Sequence, residues 1–218
     1  MKEHGMIFNG EMVRAILDGR KTQTRRPIKW KQTRFTEIGE REDGSKWPWS
    51  EDAEHACDFW HPCPFGAVGD RIWVRETFTG HYLDDDQIQD IKDGRDKASS
   101  LCEYRADYPD GYQAADGWTP SIHMPRWASR ILLEITDVRV ERLNAISEED
   151  AEAEGIDMEA LYDSQDCYDC IADHNMTGRP TVTGAFKYLW ESIYGEEGWK
   201  SNPWVWVIEF KRFEGGAA

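Results

Sequence analysis

The C-terminal run Trp204–Phe213 constrains the possible folds more than any other stretch of this sequence. Its first five residues are all apolar, and charged residues alternate with apolar ones only from Glu209 onward. A strand that is apolar on both faces has to be covered on both sides, which is typical of the interior of a sheet. We therefore expect a central strand here. Other strands are predicted at residues 5–9, 22–28, 71–78 and 129–143, the last with a bulge or a hairpin near Thr136 and Asp137.

Three segments carry helix patterns. Residues 10–18 have an apolar stripe at helical spacing, and Gly19 can adopt the left-handed backbone that ends a helix. Residues 147–155 begin with Ser147, which can cap the first turn, and continue with carboxylates that complement the positive N-terminal end. Residues 184–195 place apolar side chains on one face, which predicts a third, amphipathic helix.

The order of these elements predicts the fold class. Strands outnumber helices and no repeated strand–helix–strand unit is present, so the sequence favours an α+β fold, a small mixed β-barrel with flanking helices, over a parallel doubly wound sheet. A chain of 218 residues that is 39% hydrophobic is long enough for one core. We expect a single domain over residues 1–218, with irregular insertions at about 30–64, 79–117 and 157–183.

The charge of the chain is strongly negative overall but positive in one place. A formal net charge of −16 argues against a protein that coats nucleic acid non-specifically, because phosphate binding depends on Lys and Arg contacts. Between Arg14 and Arg34, however, eight basic residues accompany a single acidic one, Asp18. A local site in this segment is therefore predicted to be basic.

Other sequence features bear on location and on metals. No apolar run approaches the length of a membrane span, so the sequence predicts a cytoplasmic protein without a membrane partner. Five cysteines, an odd number, fit free thiols in a reducing compartment. Cys167 and Cys170 have half of a zinc-like spacing, and Cys57 and Cys63 could supply another half, but neither half is a standard closed set. We expect no metal and no cofactor; the sequence leaves the oligomeric state open.

Residues 18–26 carry the strongest functional signal, because four cationic side chains and two threonine hydroxyls lie between Arg20 and Arg26. If this segment is a strand, alternation places Lys21 on one face and Thr24 on the other, unless the turn after Gly19 redirects Lys21. Such a run is most often the solvated face of an edge strand. The alternative is one wall of a ligand pocket.

Four stretches together resemble the ASCH family, which has a PUA-like β-barrel fold and is associated with recognition of RNA and nucleosides. The segment Gly19–Arg26 is similar to the glycine-x-lysine-threonine motif of the family. The other similar stretches are the strand entry 69–74, the acidic helix 146–155 and the closing strand 206–210. The resemblance covers about half of the chain, in pieces, and leaves the three insertions outside it. The form with insertions resembles proteins encoded in phages and prophages.

One branch of that family is an amidohydrolase that removes the acetyl group from N4-acetylcytidine. The resemblance implies that its catalytic lysine, threonine and glutamate correspond to Lys21, Thr24 and Glu154. A lysine with a lowered pKa can take the threonine hydroxyl proton, and the activated oxygen can attack an amide carbonyl. Burial or neighbouring cations would lower that pKa, because both disfavour the ammonium. Glu154 would orient the lysine or bind the amide edge of the base.

Further residues are candidates for binding the substrate. Arg20, Arg25 and Arg26 could contact a phosphate or an oxyanion, and a pocket could also include Trp73, Arg75 and Glu76.

The leading hypothesis is therefore a hydrolase acting on an amide of a modified nucleoside. One alternative is a non-catalytic module that binds a modified base or single-stranded RNA by stacking on Trp73 or Trp127. Another is an acidic phage accessory protein that binds a host protein through its insertions.

Overall fold

The computed structural model of the chain describes residues 1–30, 36–52, 57–80, 82–163 and 181–213. These residues form an α+β fold with several sheets, as the sequence predicts, and they contain no closed barrel. The strands are β1 (Glu3–Ile7), β2 (Gln23–Pro27), β3 (Thr36–Glu40), β4 (Lys46–Asp52), β5 (Cys57–Trp60), β6 (Arg71–Arg75), β7 (Phe78–Thr79), β8 (Glu103–Tyr104), β9 (Leu132–Arg142) and β10 (Trp204–Arg212). The labelled α-helices are α1 (Gly10–Leu17), α2 (Asp85–Lys92), α3 (Ala98–Leu101), α4 (Glu148–Ala153) and α5 (Val182–Lys200).

The chain divides into two compact units, and each is described by itself. The first consists of Met1–Asp18, Pro64–Thr136 and Phe210–Ala218, and the second consists of Gly19–Cys63 and Asp137–Glu209. The strands β9 and β10 each contribute residues to both units. The strand β9 is continuous from Leu132 to Arg142, so the hairpin considered near Thr136 does not form.

In the first unit, β6 pairs in parallel with β1 and antiparallel with the beginning of β9. Helix α1 follows β1 and begins where the side chain of Asn9 accepts a hydrogen bond from the backbone N–H of Met12. This helix confirms the prediction for residues 10–18, since its apolar stripe is buried.

The expectation of irregular structure for residues 79–117 is wrong for the residues that the structure describes there. This stretch contains α2, α3 and β8, which pairs with β7. Asp84 and Gln87 form a reciprocal capping box at the start of α2. Cys102 and Tyr104 belong to a buried cluster with Phe78, Met124 and Ala128. The elements α3 and β8 were missed because they are short, which leaves too few residues to establish a period. Helix α2 was missed because only two of its eight residues are apolar, which gives no clear stripe.

In the second unit the strand order is β9, β10, β2, so β10 has a neighbour on each side. The prediction of a central strand is confirmed, and its burial reflects its apolar composition. A hydrophobic core lies between this sheet and the helices α4 and α5. Its buried members are Leu143, Ile146, Ala151, Phe186, Trp190, Val205 and Val207.

Helix α4 begins and ends at the residues that the sequence marked, whereas α5 extends beyond the predicted 184–195 at both ends. Ser147 caps α4 by accepting a hydrogen bond from the backbone N–H of Asp150 at 3.1 Å. Gly155, with φ of +96°, follows the helix in a conformation that favours glycine. In α5, Gly195 has φ of +75° and interrupts the helix near the predicted end of the amphipathic segment.

The expectation of irregular structure for residues 30–64 is also wrong for the described part. Strands β3, β4 and β5 form an antiparallel sheet, with a turn at residues 41–45 that places Gly44 at φ of +80°. Trp47 packs edge-on against Trp206, with ring centroids 5.0 Å apart. The two-residue spacing of Trp47 and Trp49 was the strand signal, and the scattered carboxylates obscured it.

The third expected insertion, residues 157–183, lies largely outside the described residues. Residues 158–163 are helical, and Asp157 accepts a hydrogen bond from the backbone N–H of Ala160 at 3.0 Å. Helix α5 then begins at Val182, with Thr181 as its cap. Among the described helices, none is long and apolar enough to cross a lipid bilayer.

The cap at Ser147 generates a first prediction. Replacement Ser147→Ala leaves the N–H of Asp150 without its side-chain partner, so we expect a loss of about 1 kcal/mol in the free energy of unfolding. Urea unfolding followed by circular dichroism measures this loss. Ser147→Asp, which retains an acceptor, is the matched control and should unfold close to the native midpoint. Equal midpoints for Ser147→Ala and the native chain would show that the cap contributes nothing.

Candidate functional site

The end of helix α4 and the beginning of β2 meet through backbone contacts. The backbone N–H of Thr22 donates to the carbonyl of Ala153 at 2.8 Å, and Lys21 forms an isolated antiparallel bridge with Glu154. Glu154 is the C-cap residue of α4. The glycine after it lets the chain turn away, so that Lys21 and Glu154 face each other at the junction.

Lys21 and Glu154 form a buried ion pair. The Lys21 Nζ donates to the Glu154 Oε2 at 2.6 Å and to the Glu154 carbonyl oxygen at 2.7 Å. The lysine side chain is 0% exposed and the glutamate side chain 3% exposed. An ammonium has three N–H donors, and these two contacts use two of them.

The environment of Lys21 favours its neutral form. Burial is the largest influence and lowers the pKa of Lys21, because removal from water penalises the ammonium. The charge of Glu154 and its hydrogen bond act in the opposite direction, whereas Arg26 and Arg25 lower the pKa further. The net result is a lysine whose pKa lies below its ordinary value.

Arg25 is the second buried cation of the junction. Its side chain is 0% exposed, and its guanidinium donates to Asp150 at 2.9 Å, to Glu141 at 3.2 Å and to Glu154 at 3.4 Å. The guanidinium carbon also lies 5.9 Å from the centre of the Phe186 ring. Carboxylates therefore contact both terminal nitrogens of Arg25, whereas its buried Nε has no hydrogen-bond partner among the described residues. The role of Arg25 in binding a phosphate or an oxyanion stays a prediction.

Gln23 and Arg139 extend the cluster. The Gln23 side-chain amide donates to the carbonyl and to the carboxylate of Asp150 at 2.8 and 2.9 Å. Arg139 donates to Asp150 at 3.1 Å and to Glu141 at 2.6 Å. We call the whole set the Lys21 network; its members are Lys21, Gln23, Arg25, Arg139, Glu141, Asp150 and Glu154.

The pKa of Asp150 reflects its place in this network. Burial is the largest single influence and acts to raise it, but the hydrogen bond from Gln23 and the charges of Arg25 and Arg139 together outweigh burial. The pKa of Asp150 is therefore lowered. A carboxyl group whose pKa is lowered in the folded state contributes stability that is fully present above the unfolded-state pKa. This stability is lost as the pH falls through the folded-state pKa.

Thr24 is placed differently from the other two predicted catalytic residues. Lys21, Gln23 and Arg25 all bond to residues 150–154, so alternation along the segment puts Thr24 on the opposite face. It is buried and lies opposite Ile208 in the pairing of β2 with β10. Within the described part of the chain, no side-chain hydrogen bond joins Thr24 to Lys21 or Glu154. The role of Thr24 as nucleophile stays a prediction.

Arg20 and Arg26 flank the Lys21 network. The Arg20 Nη1 donates to the Gly155 carbonyl at 2.9 Å, and Arg26 lies opposite Trp206 in the sheet. Both are half-buried, which leaves part of each side chain in contact with solvent. Their substrate-binding roles stay predictions.

The remaining predicted pocket residues, Trp73, Arg75 and Glu76, belong to the first unit. Glu76 is buried, and Arg130 binds its two carboxylate oxygens at 3.0 and 3.1 Å. Burial raises the pKa of Glu76, against the opposing hydrogen bond from Arg130. Arg75 donates to the Ile122 carbonyl and lies 5.4 Å from the ring centre of Trp73.

Sequence reasoning did not identify several residues of these clusters. In the first unit they are Arg130 and Asp107, which form a bidentate pair at 2.6 and 2.7 Å. In the second unit they are Gln23, Arg139, Glu141 and Asp150. A usable signal was present in β9, where charged residues recur at positions 137, 139 and 141 and therefore share one face of a strand.

The cysteines were considered as possible ligands of a metal ion. Among the residues that the structure describes, no group of three or more histidine, cysteine, aspartate or glutamate side chains is arranged to hold a metal ion. Cys63 is half-buried, and Cys102 is buried as a free thiol. Burial raises the pKa of Cys102 to about 11. Cys167 and Cys170, together with the side chain of Cys57, lie outside the described residues.

Comparisons of this chain with protein-family models, with curated proteins and with solved structures find no match.

The geometry of the ion pair generates a second prediction. We expect the side-chain Cε resonance of Lys21 to titrate below the value of about 10.4 that is typical of lysines in water. In Glu154→Gln the pKa should fall further, since the carboxylate charge is the largest influence that opposes burial. Carbon-detected NMR titration of labelled lysines measures both values. Glu152→Gln, an exposed change on the same helix, is the control and should leave the pKa unchanged. An Lys21 pKa at or above 10.4 would contradict the environment described here.

Proposed function

We propose that this chain is a PUA-like protein of the ASCH type that hydrolyses an amide of a modified nucleoside such as N4-acetylcytidine. The observation that carries the proposal is the buried contact between the Lys21 Nζ and the Glu154 carboxylate, in which the lysine has a lowered pKa. A lysine of lowered pKa can act as a general base near neutral pH, whereas an ordinary surface lysine is protonated there.

The hydrogen bonds of Lys21 support this role. When the amine is neutral, its two N–H bonds are directed to the carbonyl and the carboxylate of Glu154, and one lone pair is left to accept a proton. Protonation of that lone pair produces an ammonium whose charge the Glu154 carboxylate stabilises at 2.6 Å. Glu154 thus fixes the direction of the lone pair and stabilises the product of proton transfer.

The proposed reaction needs one proton acceptor and one nucleophile. The nucleophile gives its proton to the Lys21 Nζ and forms a bond to the amide carbon, after which the C–N bond breaks and the lysine returns the proton to the leaving nitrogen. With Thr24 as nucleophile, water then hydrolyses the acyl ester; with water as nucleophile, the acid forms directly. The products are the nucleoside and a carboxylic acid in either case.

Incubation with N4-acetylcytidine, followed by chromatographic measurement of cytidine, tests this proposal. We expect Lys21→Met to lower the rate by about 10²–10⁴-fold, which is the usual contribution of a general base. Lys187→Met, an exposed change on α5, is the matched control and should retain the native rate. A thermal unfolding curve for each variant shows whether it is folded. Absence of cytidine at high protein concentration, or equal rates for Lys21→Met and the native chain, would contradict the proposal.

Variants of Thr24 identify the nucleophile in the same assay. Thr24→Val keeps the shape of the buried side chain and removes the hydroxyl, whereas Thr24→Ser keeps the hydroxyl. If Thr24 is the nucleophile, only the serine variant retains activity. If both variants are active, water attacks the amide directly.

A second candidate function is binding of a modified base or single-stranded RNA without catalysis. The placement of Thr24 on the face opposite to Lys21 favours it, because a binding site does not require the two to meet. It predicts a salt-dependent affinity for an oligonucleotide that contains N4-acetylcytidine, with no release of acetate. Arg26→Gln should weaken that affinity more than Arg25→Gln does, since Arg26 is half-buried whereas the Arg25 side chain is 0% exposed.

A further inference from the structure

A cluster of aromatic rings lies at the surface of the first unit. Tyr108 and Tyr112 are stacked, with ring centroids 4.3 Å apart and planes inclined by 9°. The Trp118 ring lies 5.8 Å from the first and 6.3 Å from the second. Tyr112 is 41% exposed, and the other two rings are half-buried. We call these three residues the aromatic patch.

The backbone holds the aromatic patch in a defined arrangement. The Trp118 indole N–H donates to the Tyr112 carbonyl at 3.2 Å, and the Arg105 Nη1 donates to the Tyr108 carbonyl at 3.0 Å. Gly117, with φ of +79°, donates its N–H to Ala114 in the turn that precedes the tryptophan. Because the rings are already positioned, the protein would lose little conformational entropy when a ligand stacks on them.

The surroundings of the aromatic patch are acidic. Residues 83–117 contain ten carboxylates and four basic side chains. Asp110, whose side chain is 88% exposed, pairs with Arg105 at 3.6 Å and with Arg14 at 3.9 Å. Asp116 is also exposed. Burial, and next the charge of Glu103, raise the pKa of Tyr108, as expected where the local potential is negative.

We propose that the aromatic patch binds an arginine-rich segment of another protein. An arginine guanidinium is planar and weakly hydrated, so it stacks on aromatic faces better than a lysine ammonium does. The rings of Tyr112 and Trp118 offer such faces, and the carboxylates of Asp110 and Asp116 supply the charge that a guanidinium needs. This site lies in the first unit and does not involve the Lys21 network.

The same features argue against other occupants. A nucleic acid could stack its bases on these rings, but its phosphates would approach a surface with an excess of carboxylates. A neutral oligosaccharide could also stack on the tryptophan, yet it would gain nothing from the surrounding negative charge. The combination of stacked rings and an excess of carboxylates therefore fits a cationic planar group best.

Fluorescence anisotropy with a labelled peptide of alternating arginine and glycine tests the proposal. At about 0.15 M salt, where the Debye length is about 8 Å and long-range attraction is weak, we expect binding to the full chain. Trp118→Ala and Tyr112→Ala should each weaken binding about fivefold or more, which is the range of a stacked cation. Asp116→Asn should weaken binding less at this salt concentration than at low salt. A peptide of alternating lysine and glycine should bind more weakly than the arginine peptide.

The controls separate stacking from the general attraction of an acidic protein for a polycation. Tyr188→Ala removes an exposed tyrosine of the second unit and should leave the affinity unchanged. Circular dichroism of each variant verifies its fold, and Tyr112→Ala provides a second test if Trp118→Ala does not fold. Three results would each overturn the proposal: no binding of the arginine peptide, equal affinity of the aromatic variants and the native chain, or tighter binding of a neutral oligosaccharide or a single-stranded oligonucleotide.

Discussion

A lysine that is completely removed from water lies 2.6 Å from a glutamate that is equally buried, and the local structure of the second unit depends on this contact. Transfer of an ion from water into a protein interior costs several kcal/mol even after relaxation, so an unpaired charge at this position would destabilise the fold. The backbone satisfies part of this requirement, because the Glu154 carbonyl at the end of α4 accepts a second hydrogen bond from the same ammonium. The same ammonium therefore binds both the Glu154 carboxylate and the last carbonyl of the helix end.

The rest of the Lys21 network follows from the same requirement. Glu154 is shared with Arg25, and Arg25 is buried too, so further carboxylates are needed to balance it. Asp150 supplies one from the first turn of α4, and Glu141 supplies another from β9. In this way one helix and two strands are connected by charge-assisted hydrogen bonds, which are stronger than those between neutral groups. The acidic composition of α4 thus has a structural cause besides its favourable interaction with the helix dipole.

This arrangement determines which chemistry remains open to the site. The two terminal nitrogens of Arg25 donate to carboxylates, and its side chain is 0% exposed. Lys21 differs, because two contacts to Glu154 leave one position on its nitrogen, either a donor or a lone pair. In the proposed function, this remaining position is the one that accepts the proton of the nucleophile. The aromatic patch of the first unit has a different chemistry, since its charge is negative and its ligand would be a cation.

Much of the fold could be predicted from the sequence, because the hydrophobic pattern of a long segment identifies it as a helix or a strand. The central strand β10, the helix α1 and the cap at Ser147 are examples. Short elements were missed, since α3 and β8 contain only about one period each, which is too little to show a repeat. The tryptophans of β4 stand among carboxylates that suggested a loop. At the site, alternation correctly separated Lys21 from Thr24. The charged face of β9 was a usable signal for Arg139 and Glu141. The contacts of Glu141 and Asp150 with Arg25 could not be inferred, because contacts between residues more than a hundred positions apart depend on tertiary structure.

The most direct test of this account is a double-mutant cycle on Lys21→Met and Glu154→Leu, with the free energy of unfolding measured by urea titration. If the two side chains form the buried pair described here, each single variant should lose about 3–5 kcal/mol, because each leaves a buried charge without its partner. The double variant should then lose less than the sum of the single losses, with a coupling of about 2–3 kcal/mol. If the loss in the double variant equals the sum of the two single losses to within about 0.5 kcal/mol, the central claim is contradicted. Such additivity is characteristic of residues that do not interact.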